Sequence, residues 1–210
     1  MAETVVRNSY LQRLMGAATL DAAIYEEVEA DRNATAQALL TVVLASVALG
    51  LGSMRGVHPG GISSGVLMHL TGIVTTALLS WAAWALVVLA VGTRVLPQTT
   101  TRSDAGELLR TLGFSATPGL LGILAAAPVA ANIVLLGVTV WLLAAMVVAV
   151  RQALDFTSTW RAVAVCVTGW LIASVVAALL GALFPTPVRS FSDGTGDADA
   201  RRPSVGLVRR

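Results

Sequence analysis

The chain has 210 residues, of which 56% are hydrophobic and 12% charged, against about 25% charged in an ordinary soluble domain. A mean hydropathy of +0.78 excludes a soluble globular protein, and a net charge of +2 gathered largely in the tail gives no ground for a nucleic-acid partner. The single cysteine, Cys166, excludes a disulfide framework and reads as a small buried hydrophobe.

The charges are confined: none lies within residues 34–52, 62–93, 111–150 or 162–188. Each such run is close to or longer than the roughly 20 residues that cross a ~30 Å hydrocarbon core. All 14 basic residues are arginine, which with the Ala/Val/Leu/Gly richness points to a codon bias and not to a function. Residues 1–33 lack the sustained apolar core of a secretory signal, and no lipidation motif is present.

In chain order, residues 5–31 read as one or two amphipathic helices. Leu11, Leu14, Met15, Ala18, Ala22 and Tyr25 form a stripe at helical spacing, with Arg7, Gln12 and Arg13 off it. Asp21 reads as an internal cap that starts a second short helix carrying Glu26, Glu27 and Glu29, with Asp31 just beyond. These carboxylates have no histidine or calcium-loop pattern beside them, so a solvated face or a partner for arginines is expected, with no metal.

The first span runs from 34 to about 52, capped by Asn33 or Thr35. Residues 53–61 form a loop, and the second span lies within 62–93, followed by a polar loop at 94–103. His58 and His69 match no metal-site spacing. Thr101 or Ser103 then caps a helix that starts polar, with Asp104 and Glu107 in its first turn, and becomes apolar toward Pro118. Pro128 and Asn132 read as a reversal, which divides the next apolar stretch into a third span, 108–127, kinked near Pro118, and a fourth, 133–150. Residues 151–161 form a joint with Ser158 or Thr157 as cap, and the fifth span is 162–184, with Ala173, Ala177 and Gly181 stacked for close helix approach. The expected fold class is therefore all-α: a bundle of five transmembrane helices with an amphipathic helical N-terminal segment. The expected domains are 1–33, 34–184 and a disordered tail, 185–210.

With five spans, Arg7, Arg13, Arg32, Arg94, Arg102, Arg110, Arg151 and Arg161 share one side. By the positive-inside rule that side is the cytoplasm, the N-terminus lies within it, and the C-terminus lies outside. On the same surface the sequence groups a charge cluster of Glu26, Glu27, Glu29, Glu107, Arg110, Arg151 and Arg161. Arg110, nearest the apolar part of the third span, either pairs with Glu107 or the Glu26–Glu29 cluster as a buried pin, or snorkels to lipid phosphates.

This layout resembles the Yip domain family, the Ypt/Rab-interacting multispanning membrane proteins, in its prokaryotic form. The resemblance covers roughly residues 8–184. It rests on Gly113-Phe114-Ser115-Ala116-Thr117-Pro118, matching a Gly-aromatic-x-x-x-Pro motif in which Gly113, Phe114 and Pro118 form a structural kink. Tyr25-Glu26-Glu27-Val28-Glu29, Gly92-Thr93-Arg94 and Ala149-Val150-Arg151-Gln152-Ala153-Leu154-Asp155 add to it. The Asp-Leu-x-Gly-Pro motif of eukaryotic members is absent, and Phe114 stands where a tyrosine is frequent, so contact with a Rab-type GTPase is not carried over. The resemblance implies a non-enzymatic integral membrane protein, here of a prokaryotic cell membrane, that organises membrane or serves as adaptor or scaffold through its cytoplasmic face.

The expected partners are the lipid bilayer and a protein at that face, and homo-oligomers are compatible with the pattern. The alternative is a transporter or channel for a small neutral solute, which the Gly/Pro-broken third span would serve. Ion coupling is disfavoured because no acid or arginine lies deep in a span. No catalytic signature is found, and Gly119-Leu120-Leu121-Gly122 reads as helix packing. No cofactor is expected.

Overall fold

The computed structural model describes residues 8–54, 64–97, 103–127 and 129–183. The tail at 185–210, the loop with His58, the capping Thr101 and Pro128 lie outside the described residues. The chain divides into two units, Met1–Ala173 and Ser174–Arg210. Of the second only 174–183 is described, and it is helical. The Ala173, Ala177, Gly181 stack falls partly on side chains outside the described set.

Every regular element among the described residues is helical. Two short helices, α1 (Tyr10–Ala18) and α2 (Ala22–Ala30), precede α3 (Ala34–Ser53) and α4 (Ser64–Ala90), which ends in a π turn, Val91–Val95. Then come α5 (Ala105–Phe114), a 3₁₀ segment (Thr117–Ala126), α6 (Ala131–Ala153) and α7 (Thr159–Leu183). Five stretches are long and apolar enough to cross a membrane: Ala34–Ser53, Gly65–Val95, Ala105–Ala126, Ala131–Ala153 and Thr159–Val176.

Local chemistry explains the helix starts. Ser9 and Gln12 form a capping box on α1, Asp21 accepts from the Ala23 N–H as the expected cap of α2, and Asp104 with Glu107 forms a second capping box on α5. The last point corrects the expected cap at Thr101 or Ser103: Asp104 sits one residue outside the helix, and its carboxylate accepts from the Glu107 N–H. Asn33 holds the N-cap position of α3 without a side-chain bond. Instead the Asp31 carboxylate accepts from the Asn33 N–H.

Helix ends run further than the apolar runs. The second span passes through the π turn and takes in Arg94, with the Leu96 N–H bonded to the Val91 carbonyl. The fourth extends beyond Arg151 to Ala153. It closes in a Schellman turn, in which the Phe156 N–H reaches the Arg151 carbonyl and the Asp155 N–H that of Gln152. Asp155 takes the left-handed position at φ 51°, and Leu20 does the same at φ 63° after α1.

The third span changes character part-way. Pro118 has no N–H for the Phe114 carbonyl, four residues back. The Thr117 hydroxyl donates to that carbonyl at 2.6 Å, and the Ser115 hydroxyl donates to Leu112 at 2.8 Å. The chain continues as a 3₁₀ segment of 10 residues, where runs beyond 3–4 are uncommon. The break falls at Ser115–Ala116, just before the proline.

Small residues set the packing. A Cβ on Gly113 would stand 2.6 Å from Ala38 Cβ, and one on Gly122 would stand 2.5 Å from Leu49 Cδ2. The third span therefore lies against α3, which turns Ala34, Ala38 and Ala45 inward. The core joins Leu14, Tyr25 and Val28 of the N-terminal helices to Leu108, Phe114 and Val150 of the spans and to Leu154 just after α6.

Candidate functional site at the polar end of the bundle

The α1–α2 hairpin is locked to the bundle by two arginines. Arg13, only 2% exposed, donates from Nε and Nη2 to Glu27 Oε1 at 3.0 and 2.8 Å. It also reaches Asp31 Oδ2 at 2.8 Å and Gln37 Oε1 at 2.9 Å. Asn8 donates to the same Glu27 carboxylate through both backbone and side chain. Burial opposes the charge on Arg13, but Asp31 and Glu27 outweigh it and push the guanidinium above its ordinary range. The expectation that Arg13 lies off the buried stripe is thus corrected, since four hydrogen bonds to three partners compensate its burial. Within the stripe, Leu14 is buried while Leu11 and Met15 face outward.

Arg110 is the second lock. It is 6% exposed, and its Nε donates to the carbonyl oxygens of Val28 at 3.1 Å and Glu29 at 3.0 Å, with Nη2 also on Glu29. These carbonyls belong to the last turn of α2, which lacks intrahelical donors and favours a cation.

Beside α2 lies an open cleft of about 500 Å³ lined by Glu26, Glu29, Glu107, Arg151, Gln152 and Asp155, with Ala30, Phe156 and Thr157. Gln152 donates to Glu26 Oε1 at 2.8 Å, and the Arg151 Nε donates to the Phe156 carbonyl at 3.3 Å. Burial, then the charges of Glu107 and Asp155, push the Glu29 carboxyl up to about 7 against the pull of Arg110.

Of the residues grouped from sequence, the structure brings Glu26, Glu29, Glu107 and Arg151 to this cleft. Glu27 turns to Arg13 instead, Arg110 lies behind the cleft on backbone carbonyls, and the exposed Arg161 is not part of the lining. Of the motif residues, Gly113 and Phe114 close α5 while Pro118 opens the 3₁₀ segment. Phe114 is buried with its ring edge toward Tyr10 at 6.3 Å between centroids. Sequence reasoning missed Gln37, Gln152 and Asp155 as members of the site. Among the described residues no group of His, Cys, Asp and Glu is placed to hold a metal ion.

A family model described as the Yip1 domain matches residues 20–180. The chain belongs to the Yip1 domain family. The match takes in α2, the cleft and all five spans, and identifies the chain as a multispanning integral membrane protein. No curated protein and no solved structure matches it. Within this Yip1 domain, the Gly113-to-Pro118 motif joins the α-helical and 3₁₀ halves of the third span.

Proposed function

We propose that this Yip1-family chain is a non-enzymatic membrane-organising or adaptor protein that works through the polar end of its bundle, on the cytoplasmic side of a prokaryotic cell membrane. The observation that carries this reading is the open cleft of Glu26, Glu29, Glu107, Arg151, Gln152 and Asp155. It is mounted on a hairpin that two buried arginines hold rigid, as a recognition surface requires. The placement on the cytoplasmic side draws on the eight span-proximal arginines of one side. Passage of a neutral solute along the broken third span has less support, because its Gly119 and Gly122 are packed against Ala45 and Leu49 of α3.

The test is a photo-crosslinking residue at Gln152 in native membranes, with Val129 at the other end of α6 as control. A discrete protein adduct from position 152 only supports the adaptor reading, whereas lipid adducts alone at both positions overturn it. Sidedness is read with Cys166→Ser as background. Ser103→Cys and Thr157→Cys should be shielded from an impermeant thiol reagent in intact cells, and Thr195→Cys should react.

A further inference from the structure

The α1–α2 hairpin does not lie across the end of the bundle. At the hairpin turn, Trp141 Nε1 donates to the Ala18 carbonyl at 2.8 Å, and Trp141 stands near the middle of α6 (Ala131–Ala153). At its base, Gln152 of the same helix holds Glu26. At 1.5 Å rise per residue these two anchors are separated by about 16 Å along α6. α2 thus runs alongside the inner half of a span. The Tyr10 side chain also reaches inward: its Oη is 3.0 Å from Thr41 Oγ1, about two turns into α3, beside the exposed Leu40 and Leu44.

A segment at this depth must satisfy its backbone internally, and the turn between α1 and α2 bonds back on the end of α1. The Asp21 N–H bonds to Gly16, the Leu20 N–H to Ala17 and the Thr19 N–H to Met15. The Thr19 hydroxyl turns back on Met15 and Gly16, and the Tyr25 hydroxyl donates to Ala17. Arg13 sends its guanidinium toward the polar end, to Gln37, Glu27 and Asp31. On the outer face stand Leu11, 65% exposed, and Met15, 55% exposed. α3 likewise exposes Leu39, Leu40 and Leu44.

We propose that α1–α2 is a re-entrant hairpin seated in one leaflet, with the Leu11 and Met15 face in contact with lipid acyl chains. It adds two helices of cross-section to that leaflet alone. Thr19 and Asp21, exposed at the tip, mark where headgroups and water are drawn down toward the hairpin.

The test uses the full chain with Cys166→Ser, carrying Met15→Cys or Leu11→Cys labelled with a fluorophore, in phosphatidylethanolamine/phosphatidylglycerol vesicles. Lipids brominated along the acyl chain should quench both labels severalfold more than aqueous iodide does. A label at the exposed Arg161→Cys should show the reverse order, which confirms a folded cytoplasmic end. Strong iodide quenching at Met15 and Leu11 would place the face in water and overturn the proposal. Protection from both quenchers, with Met15-to-Met15 crosslinks, would assign it to a second copy and overturn it equally.

Discussion

The guanidinium of Arg110 closes the last turn of α2 from the side, donating to the Glu29 carbonyl at 3.0 Å through Nε. The sequence offered a carboxylate partner or a lipid phosphate for this arginine; the structure gives it backbone carbonyls. Glu107 is engaged elsewhere, in the capping box with Asp104. The arginine therefore acts as a C-terminal cap supplied in trans, linking the third span to the N-terminal hairpin.

Arg110→Ala should be strongly destabilising, because buried carbonyls lose their donors at about 1–3 kcal/mol each. Thermal unfolding in detergent should show a clear loss for Arg110→Ala and little for the exposed Arg161→Ala. Equal, small shifts would show that the contact holds nothing.

Arg13 should behave as one half of a buried ion pair. Arg13→Met takes the cation from the Glu27 carboxylate, a loss of about 3–5 kcal/mol, and adding Glu27→Gln should restore part of it. Burial alone would raise the Glu27 carboxyl, but Asn8 and Arg13 hold it below its ordinary 4.5. A lowered carboxylate stabilises above its unfolded value and ceases to do so as pH falls through the folded one. Wild type should therefore lose stability below pH 4.5 more steeply than Glu27→Gln, in melts followed by circular dichroism.

The architecture was legible because lipid demands long uncharged runs, and arginines punctuate them. The caps at Asp21 and the break near Pro118 were legible because each has a local cause. Arg13 was not. Tyr10, Arg13, Leu14 and Ala17 share a helical face as well as Leu11, Leu14, Met15 and Ala18 do, and only the distant partners Glu27, Asp31 and Gln37 decide which turns inward. The turns at Leu20 and Asp155 were equally hidden, since each left-handed position carries a side chain where glycine would have announced it. The cleft escaped in part because Gln152 and Asp155 sit beyond the end of the fourth apolar run, on the last turn of α6 and the Schellman turn after it, which sequence assigned to a joint.

Glycine positions should split by what stands opposite them. Gly113→Ala drives a methyl into Ala38, whose Cα would be 3.0 Å away, so about 1–3 kcal/mol is lost to overpacking. Gly137→Ala meets nothing within 4 Å and should gain up to about 1 kcal/mol of helix propensity. Denaturant titration in detergent reads both. A neutral Gly113→Ala would mean the α3 contact has room to relax.

Glu29 should give the polar end a pH dependence opposite in sign to that of Glu27. Its carboxyl faces Glu107 from α5, Asp155 beyond α6 and Glu26 on its own helix, with Arg110 as the opposing charge and Arg151 on the cleft wall. Burial and these acids lift it from 4.5 to about 7. A raised carboxyl favours the folded state when protonated, so its contribution is complete below pH 4.5. That contribution is lost as pH climbs to about 7, beyond which the folded chain carries the full cost of an ionised, partly buried acid. Glu29→Gln has the shape of the protonated form and no charge to lose. Its melting temperature should match wild type near pH 4.5, exceed it increasingly up to about pH 7, and hold a constant margin at pH 8. Taking the difference between the two proteins removes every other titrating group they share. A margin that stays flat across this range, or narrows as pH rises, would show that Glu29 is solvated and that the cleft does not store its charge.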